Sequence, residues 1–440
     1  MNKEEILRKC QELDVRFIRL QFTDILGVVK NVAIPISQLE RALNDDIMFD
    51  GSSIEGFTRV EESDMILKPD LSTFAIFPWR PREGSVARLI CDIYTPEGTP
   101  FEGDPRYILK KTIKEAADMG YTFNVGPECE FFLFKLNDDG TPSVVTHDKG
   151  GYFDLSPIDL GENSRREIVI TLEEMGFEIE ASHHEVSPGQ HEIDFKYSDP
   201  LSTADRVTTL KFVTRIIAMQ NNLHATFMPK PIFGINGSGM HIHLSLFKNK
   251  QNIFFNPDNK YQLSDSARYF VGGVLKHIKG ITAVTNPLVN SYKRLTPGYE
   301  APVYQTWSAS NRSALIRVPA GRGDSTRMEI RNPDPCCNPY LAFSLLIKAG
   351  LNGVLNKVDP GDPIQKNVYL MSQAERSLEN IQSLPESLID ALVEMEKDPL
   401  CRETLGEHIL YRFLEAKYIE WEVYKNQVHQ WELDQYLGVF

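Results

Sequence analysis

Four short stretches of this 440-residue chain place glutamate, histidine and arginine at alternate positions. Alternate residues of a β-strand face the same side. On that spacing Glu128 and Glu130 share a face within Val125 to Phe134, and His241, His243 and Ser245 share one within Gly239 to Phe247. Arg327, Glu329 and Arg331 share one within Thr326 to Asn332, and the stretch from His183 to Phe195 carries Glu185 and, seven residues on, Glu192. Any one pair reads first as the solvated side of an amphipathic strand. Two histidines at i, i+2 are also more often structural than metal-binding. The four together read differently. Their polar faces hold Glu, His and Arg with little Lys, Thr or Gln, and the opposite faces of two are apolar (Phe131, Leu133; Met240, Ile242, Leu244). As neighbours in one sheet they would bring five carboxylates and a histidine together. Like charges that close do not stay ionised without cations.

A set of carboxylate oxygens with one imidazole is hard, and suits Mg²⁺ or Mn²⁺ better than a thiolate-bound metal. Five carboxylates are too many for a single Mg²⁺, so two metals are expected. Arginines on the same strands, with Arg294, Arg312, Arg317 and Arg322 near Gly, Pro or Asn on loops, point to phosphate. Paired divalent ions with arginines match phosphoryl transfer. The loop Asn236-Gly237-Ser238-Gly239 is a weak signal. It fits neither a Walker loop nor a dinucleotide fingerprint, and its glycines can serve a tight turn alone. No Ser-His-Asp or Cys-His nucleophile pattern is present.

The elements that must position these groups lie in a chain long enough for two domains. Hydrophobic residues at 42% and charged residues at 25% are ordinary for a globular protein. A net charge of −14 repels a phosphate backbone, which argues against nucleic acid as the main partner but leaves anionic substrates to local arginine or metal. Met1 to Leu13 is a charged helical stretch without the apolar region of a signal peptide. Tyr340 to Leu355 is broken by Lys348 and two glycines, so it reads as a buried helix, not a membrane span. The six cysteines form no C-x-x-C pair, as expected of reduced thiols in a cytoplasm.

Residues 15 to 93 hold short alternating runs, Val15 to Phe22 and Val86 to Ile93 among them, and one helix near Ser37 to Leu43. They predict a small α+β domain. Thr95 to Arg106, rich in Pro and Gly, reads as the linker, with a helix starting at Asp104 or Pro105. Domains of residues 1–103 and 104–440 follow. Further helices are predicted over Arg106 to Met119, Glu162 to Met175, Thr203 to Leu223, Ser264 to Thr285, Pro339 to Asn356 and most of Leu384 to Gln430. Gly150 to Phe153 reads as a turn into a short strand, without a function.

Longer motifs then fall into register. Lys230-Pro231-Ile232-Phe233-Gly234-Ile235-Asn236-Gly237-Ser238-Gly239-Met240-His241, continuing to His243 and Ser245, resembles the ATP-region signature of the glutamine synthetase family. Phe49-Asp50-Gly51-Ser52-Ser53-Ile54 with Glu62-Ser63-Asp64 resembles its N-terminal signature. Lys293-Arg294-Leu295 and Pro297-Gly298-Tyr299-Glu300-Ala301-Pro302 look like its mobile flap, and Asn311-Arg312-Ser313, Arg327 to Arg331 and Asn338-Pro339-Tyr340 also match. The resemblance runs, in order, from near residue 15 to the C-terminus.

It implies an α+β fold: a small N-terminal β-grasp domain, then a catalytic domain with a curved antiparallel sheet flanked by helices. It further implies a cytoplasmic homododecamer of two hexameric rings, in which a neighbour's N-terminal domain completes each active site. The implied reaction joins ammonia to the γ-carboxylate of L-glutamate through γ-glutamyl phosphate, giving L-glutamine, ADP and phosphate. Carried over residue by residue, Glu130, Glu185 and Glu192 would hold one Mg²⁺ or Mn²⁺. Glu128, His241 and Glu329 would hold another, which bridges ATP phosphates. Asn236, Gly237, His241, Arg294, Glu300, Arg312 and Arg331 would line the substrate site. Glu180, His243, Ser245, Arg312, Arg317 and Arg327 would contact ATP. Asp50 of the neighbour would bind ammonium and take its proton, Arg312 would stand by the transferring phosphoryl group, and Glu300 would close the flap. Without the resemblance, Asp50 reads as a turn former, Glu300 as a solvated loop charge and Arg294 as half of a surface ion pair.

Tyr369 falls where some bacterial relatives are adenylylated, but Leu370-Met371-Ser372 lacks their acidic, proline-containing context. With Arg59 in Gly56-Phe57-Thr58-Arg59, this resembles the type I branch of Gram-positive bacteria. That implies feedback inhibition by glutamine through Arg59, no adenylylation, and binding of nitrogen-responsive transcription regulators. Cys336-Cys337, where relatives carry small residues, reads as packing, with oxidation sensitivity as the alternative. Three rival readings remain: a glutamate–polyamine ligase of the same family, a catalytically silent regulatory relative, and an unrelated two-metal phosphohydrolase.

Overall fold

The computed structural model describes residues 1–54, 56, 64–80, 83–309 and 311–440. Arg59 and the Glu62-Ser63 part of the N-terminal motif lie outside the described residues.

Helix α1 (Lys3–Glu12) leads into a five-stranded sheet made of β1 (Val15–Thr23), β2 (Val29–Pro35), β3 (Met48–Asp50), β4 (Asp64–Ile76) and β5 (Ser85–Tyr94). Its order is β2-β1-β5-β4-β3. The β1/β5 pair is parallel and the others are antiparallel. A short α2 (Leu39–Leu43) follows a 3₁₀ turn, as the spacing predicts. Ile6, Ile18, Leu20, Leu67, Leu89 and Ile93 fill the core of this unit. The sheet is rich in β-branched and aromatic residues at alternate positions, the pattern of a half-buried pleated surface.

Helix α3 (Pro105–Asp118) starts the larger unit, with the Asp104 carboxylate accepting the Arg106 N–H at 2.9 Å and Pro105 in the first turn. Ten strands follow: β6 (Tyr121–Leu136), β7 (Pro142–Thr146), β8 (Ile179–His184), β9 (Gln190–Phe195), β10 (Leu223–Thr226), β11 (Met240–Lys248), β12 (Gln251–Asn252), β13 (Trp307–Ser308), β14 (Ile316–Arg317) and β15 (Met328–Ile330). The main path is β13-β14-β15-β11-β6-β9-β8, with β7 and β10 on β6 and β12 on β11. All pairs are antiparallel except β13/β14. Between and after the strands come α4 (Glu162–Glu174), α5 (Pro200–Gln220), α6 (Asp265–Thr285), α7 (Ser291–Arg294), α8 (Pro339–Asn356), α9 (Gln373–Leu378), α10 (Leu388–Lys397), α11 (Pro399–Lys425) and α12 (Gln430–Tyr436). Among the described residues, no helix is long and apolar enough to cross a membrane.

The stretch from His183 to Phe195 is not one strand. It reverses at Pro188-Gly189, so β8 and β9 form a hairpin with His183 opposite Glu192. A seven-residue separation in sequence thus becomes adjacency in space. Gly150 to Phe153 forms no strand either; Phe153 takes a left-handed φ of 61°.

The linker region is pinned rather than loose. Arg106, at the start of α3, donates to Asp92 at 2.6 Å, Asp70 at 2.7 Å and Asp205 of α5 at 2.9 Å, with its side chain 3% exposed. Tyr340 of α8 also donates to Asp205 at 2.8 Å. One guanidinium thus ties the first sheet to two helices of the second unit. Removing one partner of a buried charge network strands the others without compensation. Arg106→Ala is expected to destabilise the protein by about 3–5 kcal/mol, read as a lowered urea midpoint, whereas the exposed-pair variant Arg8→Ala should stay within about 0.5 kcal/mol of the parent.

Candidate active site

Strand β6 is the axis of the site. Its Cys129, Phe131 and Leu133 face the helices and are fully buried with Val207, Leu210 and Ile242. That fixes Glu128 and Glu130 on the opposite face. The ladder then sets the neighbours: Glu128 pairs with His241 of β11 and with Asp194 of β9, and Glu130 pairs with Glu192. His243 pairs with Glu329 of β15, and Glu329 with Arg317 of β14. This polar face is not a solvated one, since Glu130, Glu192, His241 and His243 are all under 10% exposed and Glu329 is fully buried.

Two triads could each hold a cation: Glu128, His241 and Glu329, and His183, Glu185 and Glu192, with the ligand atoms in each within 4.8 Å of one another. Glu130 adjoins the second. Its Oε2 accepts from Gln190 Nε2 at 2.7 Å and from the Gly239 N–H at 3.0 Å. Burial, then the charge of Glu185, pushes the Glu130 carboxyl up to about 8. Glu192 is raised well above the usual range by burial and Glu130, and Asp194 reaches about 9 through burial and Glu192. Glu185 is raised by burial as well. Hard oxygen donors that repel one another in a buried site fit divalent cations such as Mg²⁺ or Mn²⁺. In the other triad burial raises Glu128, but hydrogen bonds from His241 at 3.0 Å and His243 at 2.7 Å outweigh it and leave the carboxyl well below its usual range. Glu329 is also lowered: His241 and Arg331 outweigh burial, and Arg317 and Arg331 both donate to it.

His243 has a fixed role. Arg327 Nε approaches its Nδ1 at 3.1 Å. A guanidinium can only donate, so Nδ1 accepts and the proton sits on Nε2, aimed at Glu128. With its remaining nitrogen protonated, His243 braces the site and is not a metal ligand.

Two cavities meet here. The first, about 460 Å³, is lined by all the expected substrate residues: Asn236, Gly237, His241, Arg294, Glu300, Arg312 and Arg331. The second, about 440 Å³, is lined by Glu180, His243, Ser245 and Arg327, with apolar wall from Phe195, Leu244 and Phe247. Glu128 and Asp194 line both. Arg312 and Arg317, expected on the ATP side, line the first cavity. Asp50 lines neither. Its carboxylate accepts from Ser52 N at 2.8 Å and Ser52 Oγ at 2.7 Å, which lowers it, so the turn-forming reading holds within its own chain.

The glycines of the 236–239 loop answer to space rather than to φ. A Cβ on Gly237 would lie 2.1 Å from the Pro229 carbonyl oxygen, and one on Gly239 would lie 2.5 Å from Arg294 Nη2. Arg294 is buried and donates to the backbone oxygen of Asn332 at 2.7 Å, so it is no surface ion pair. On the flap, Glu300 accepts from Asn236 Nδ2 at 3.1 Å and sits at a left-handed φ of 56°.

Several residues escaped the sequence reading. His183 lies 3.2 Å from Glu192. Asp194 extends the i, i+2 pattern of Glu192, which was the available signal. Gln190 holds Glu130, and Tyr152, from the stretch given no function, lines the first cavity beside Arg312. Behind β8 and β9 lies a buried cluster of His147, Asp148, Asp159 and His191. Arg165 forms an ion pair with Asp159 at 2.8 Å and donates to His191 Nδ1 at 2.9 Å, which leaves the proton on His191 Nε2 and no lone pair there for a metal. Asp148 accepts the Gly189 N–H at 2.9 Å and braces the turn between Glu185 and Glu192. The described cysteines are all free, and burial pushes the Cys336 thiol up to about 12, so it packs as a neutral thiol.

The family model described as "Glutamine synthetase, catalytic domain" matches residues 102–436, and that described as "Glutamine synthetase, beta-Grasp domain" matches residues 14–96. The chain is 57% identical over 436 residues to a Staphylococcus aureus protein named glutamine synthetase, covering 99% of this chain and 98% of that one. It is 57% identical over 437 residues to a protein of the same name from Methanosarcina mazei, with the same coverage. A solved structure titled "GmaS/ADP complex-Conformation 1" superposes with a TM-score of 0.89 at 32% identity, over 98% of this chain and 99% of that one.

The crowded carboxylates predict a pH signature. A carboxyl whose folded pKa is raised favours folding most below its unfolded value of 4.5, and loses that contribution as pH climbs through about 8, the value for Glu130. Protein stripped of metal with a chelator should therefore melt at progressively lower temperature from about pH 6 to about pH 8. Excess Mg²⁺ should flatten that slope, and Glu192→Gln should reduce it in the chelator-treated protein.

Proposed function

The chain belongs to the glutamine synthetase family, and from that premise we propose that it activates the γ-carboxylate of L-glutamate with ATP as γ-glutamyl phosphate and transfers the acyl group to ammonia. The observation that carries this reading is the meeting of the two cavities at Glu128 and Asp194. A nucleotide in the partly apolar cavity would present its terminal phosphate at that junction. Glutamate in the carboxylate- and arginine-lined cavity would reach it from the other side. The solved relative whose title names an ADP complex has the same fold and supports a nucleotide here.

Divalent metal at the two triads, when bound, supplies charge neutralisation for phosphoryl transfer. The chain's own groups do the rest. Arg294 and Arg331, with Asn236 and Gly237, orient glutamate. Glu180, Ser245, Arg317 and Arg327 orient ATP, with His243 held by Arg327. Arg312 faces the transferring phosphoryl group. A carboxylate is a poor acyl donor because oxide is a poor leaving group, and phosphorylation corrects that. Ammonium must lose a proton before it attacks, and the proposed acceptor is Asp50 supplied by a neighbouring subunit. Glu300 and the flap keep water from the acyl phosphate.

A homododecamer with shared active sites, a domain boundary at 103/104 and a cytoplasmic location belong to the same proposal. The relationship to the Staphylococcus aureus protein fits the type I branch. Feedback inhibition by glutamine through Arg59, absence of adenylylation at Tyr369 and contact with nitrogen-responsive regulators are proposed on that ground.

Phosphate release from ATP should require Mg²⁺, glutamate and ammonium together, with glutamine as product. A preference for putrescine over ammonium would instead assign a glutamate–amine ligase, and no release from folded, metal-binding protein would assign a regulatory role. Arg312→Ala should lower kcat by on the order of 10³, in line with other phosphoryl-transfer arginines.

A further inference from the structure

The flap spanning residues 296–302 is held at three points. The Lys230 ammonium lies 3.7 Å from the centre of the Tyr299 ring. Asn236 donates to Glu300 at 3.1 Å. The Tyr369 hydroxyl donates to the backbone oxygen of Ala301 at 2.7 Å. Lys230 and Asn236 belong to the loop that runs into β11, so two of these contacts come from the substrate side. Tyr369 comes from a separate stretch, to which the proposed reaction gives no role.

That stretch is a firm post. The turn Val368–Leu370 is capped by Asn367, whose side chain accepts the Tyr369 N–H at 3.0 Å, and Val368 is fully buried. The Val368 N–H donates to Ser313 Oγ at 3.2 Å, and Asn311 Nδ2 donates to the Lys366 oxygen at 2.5 Å. The post is thereby joined to the loop that carries Arg312. By contrast, Glu300 holds a left-handed backbone, a conformation that a non-glycine residue keeps only when its surroundings enforce it.

We propose that Tyr369 is a positioning residue whose phenol helps latch the flap shut through the Ala301 carbonyl, so that losing this hydrogen bond loosens the exclusion of water from the acyl phosphate while the Lys230 and Asn236 contacts remain. The inference rests on the flap role proposed above. Burial pushes the Tyr369 phenol up to about 12, so it stays a donor across the working range of pH. With the latch weakened, a water oxygen adds to the acyl carbon of γ-glutamyl phosphate, the C–O bond to phosphate breaks, and glutamate is regenerated. The net reaction is hydrolysis of ATP to ADP and phosphate.

The test is phosphate release by Tyr369→Phe in the full-length protein with Mg²⁺, ATP and glutamate, without and with ammonium. The ratio of ammonium-independent to ammonium-dependent release should rise about fivefold, the population shift expected from one lost neutral hydrogen bond. The KM for glutamate should rise by a similar factor while kcat for glutamine changes less than about twofold. A ratio equal to that of the parent overturns the latch, because a merely structural defect lowers both rates together. The parent protein gives a second reading without any variant. A glutamate-specific protease should cut after Glu300 far more slowly than after Glu97, which sits in an exposed turn, and equal rates overturn the proposal. Failure of the functional reading is separable: the parent protein would then release no glutamate-dependent phosphate even with ammonium.

Discussion

Like charges buried on one face of a sheet are the constraint around which this protein is organised. Glu128, Glu130, Glu185, Glu192, Asp194 and Glu329 crowd a region in which most of them are screened from water. Bulk solvent would dissipate their repulsion, but the buried setting does not. The sheet accommodates them in two ways. On the β11/β15 side it supplies its own cations and donors, with His241, His243, Arg317 and Arg331 around Glu128 and Glu329. On the β8/β9 side it leaves the carboxyls crowded and raised. One half of the site is thus partly neutralised by the protein's own donors, and the other is left crowded for what binds.

The rest of the architecture follows from keeping those groups in register. Strand β6 needs a continuous apolar underside so that Glu128 and Glu130 cannot slip to the other face, and α5 and α3 provide the cover. The β8/β9 hairpin needs a braced turn, which Asp148 supplies from beneath. The first sheet must be anchored to the second unit, and Arg106 with its three aspartates does this at the point where the chain crosses over.

Much of this was legible in the sequence because period-two patterning survives even where both faces are buried. The paired positions on β6, β11 and β15 were readable from spacing alone, as was the cap of α3. Glu185 and Glu192 were the harder case. Seven residues apart, they would face opposite sides of a single strand, and only the turn at Pro188-Gly189 makes them neighbours. Asp194 repeated the visible pattern, yet its importance depends on pairing with Glu128 across a ladder that no local signal specifies. Tyr152 and Gln190 are unremarkable in sequence because their contribution comes entirely from long-range packing. The glycines at 237 and 239 were visible as a turn, but the reason for them lies in Pro229 and Arg294, distant or unpatterned partners.

Those two glycines also divide the molecule by its tolerance of change. With Pro229 against one and Arg294 against the other, the 236–239 loop has no room to admit a side chain or to shift without disturbing Glu130. The flap is instead held by a few polar contacts from its neighbours. A lineage of this fold that changed its substrates would therefore keep this loop and vary the flap. On the proposed function, the acyl donor would be the inherited part of specificity and the acceptor the adaptable part.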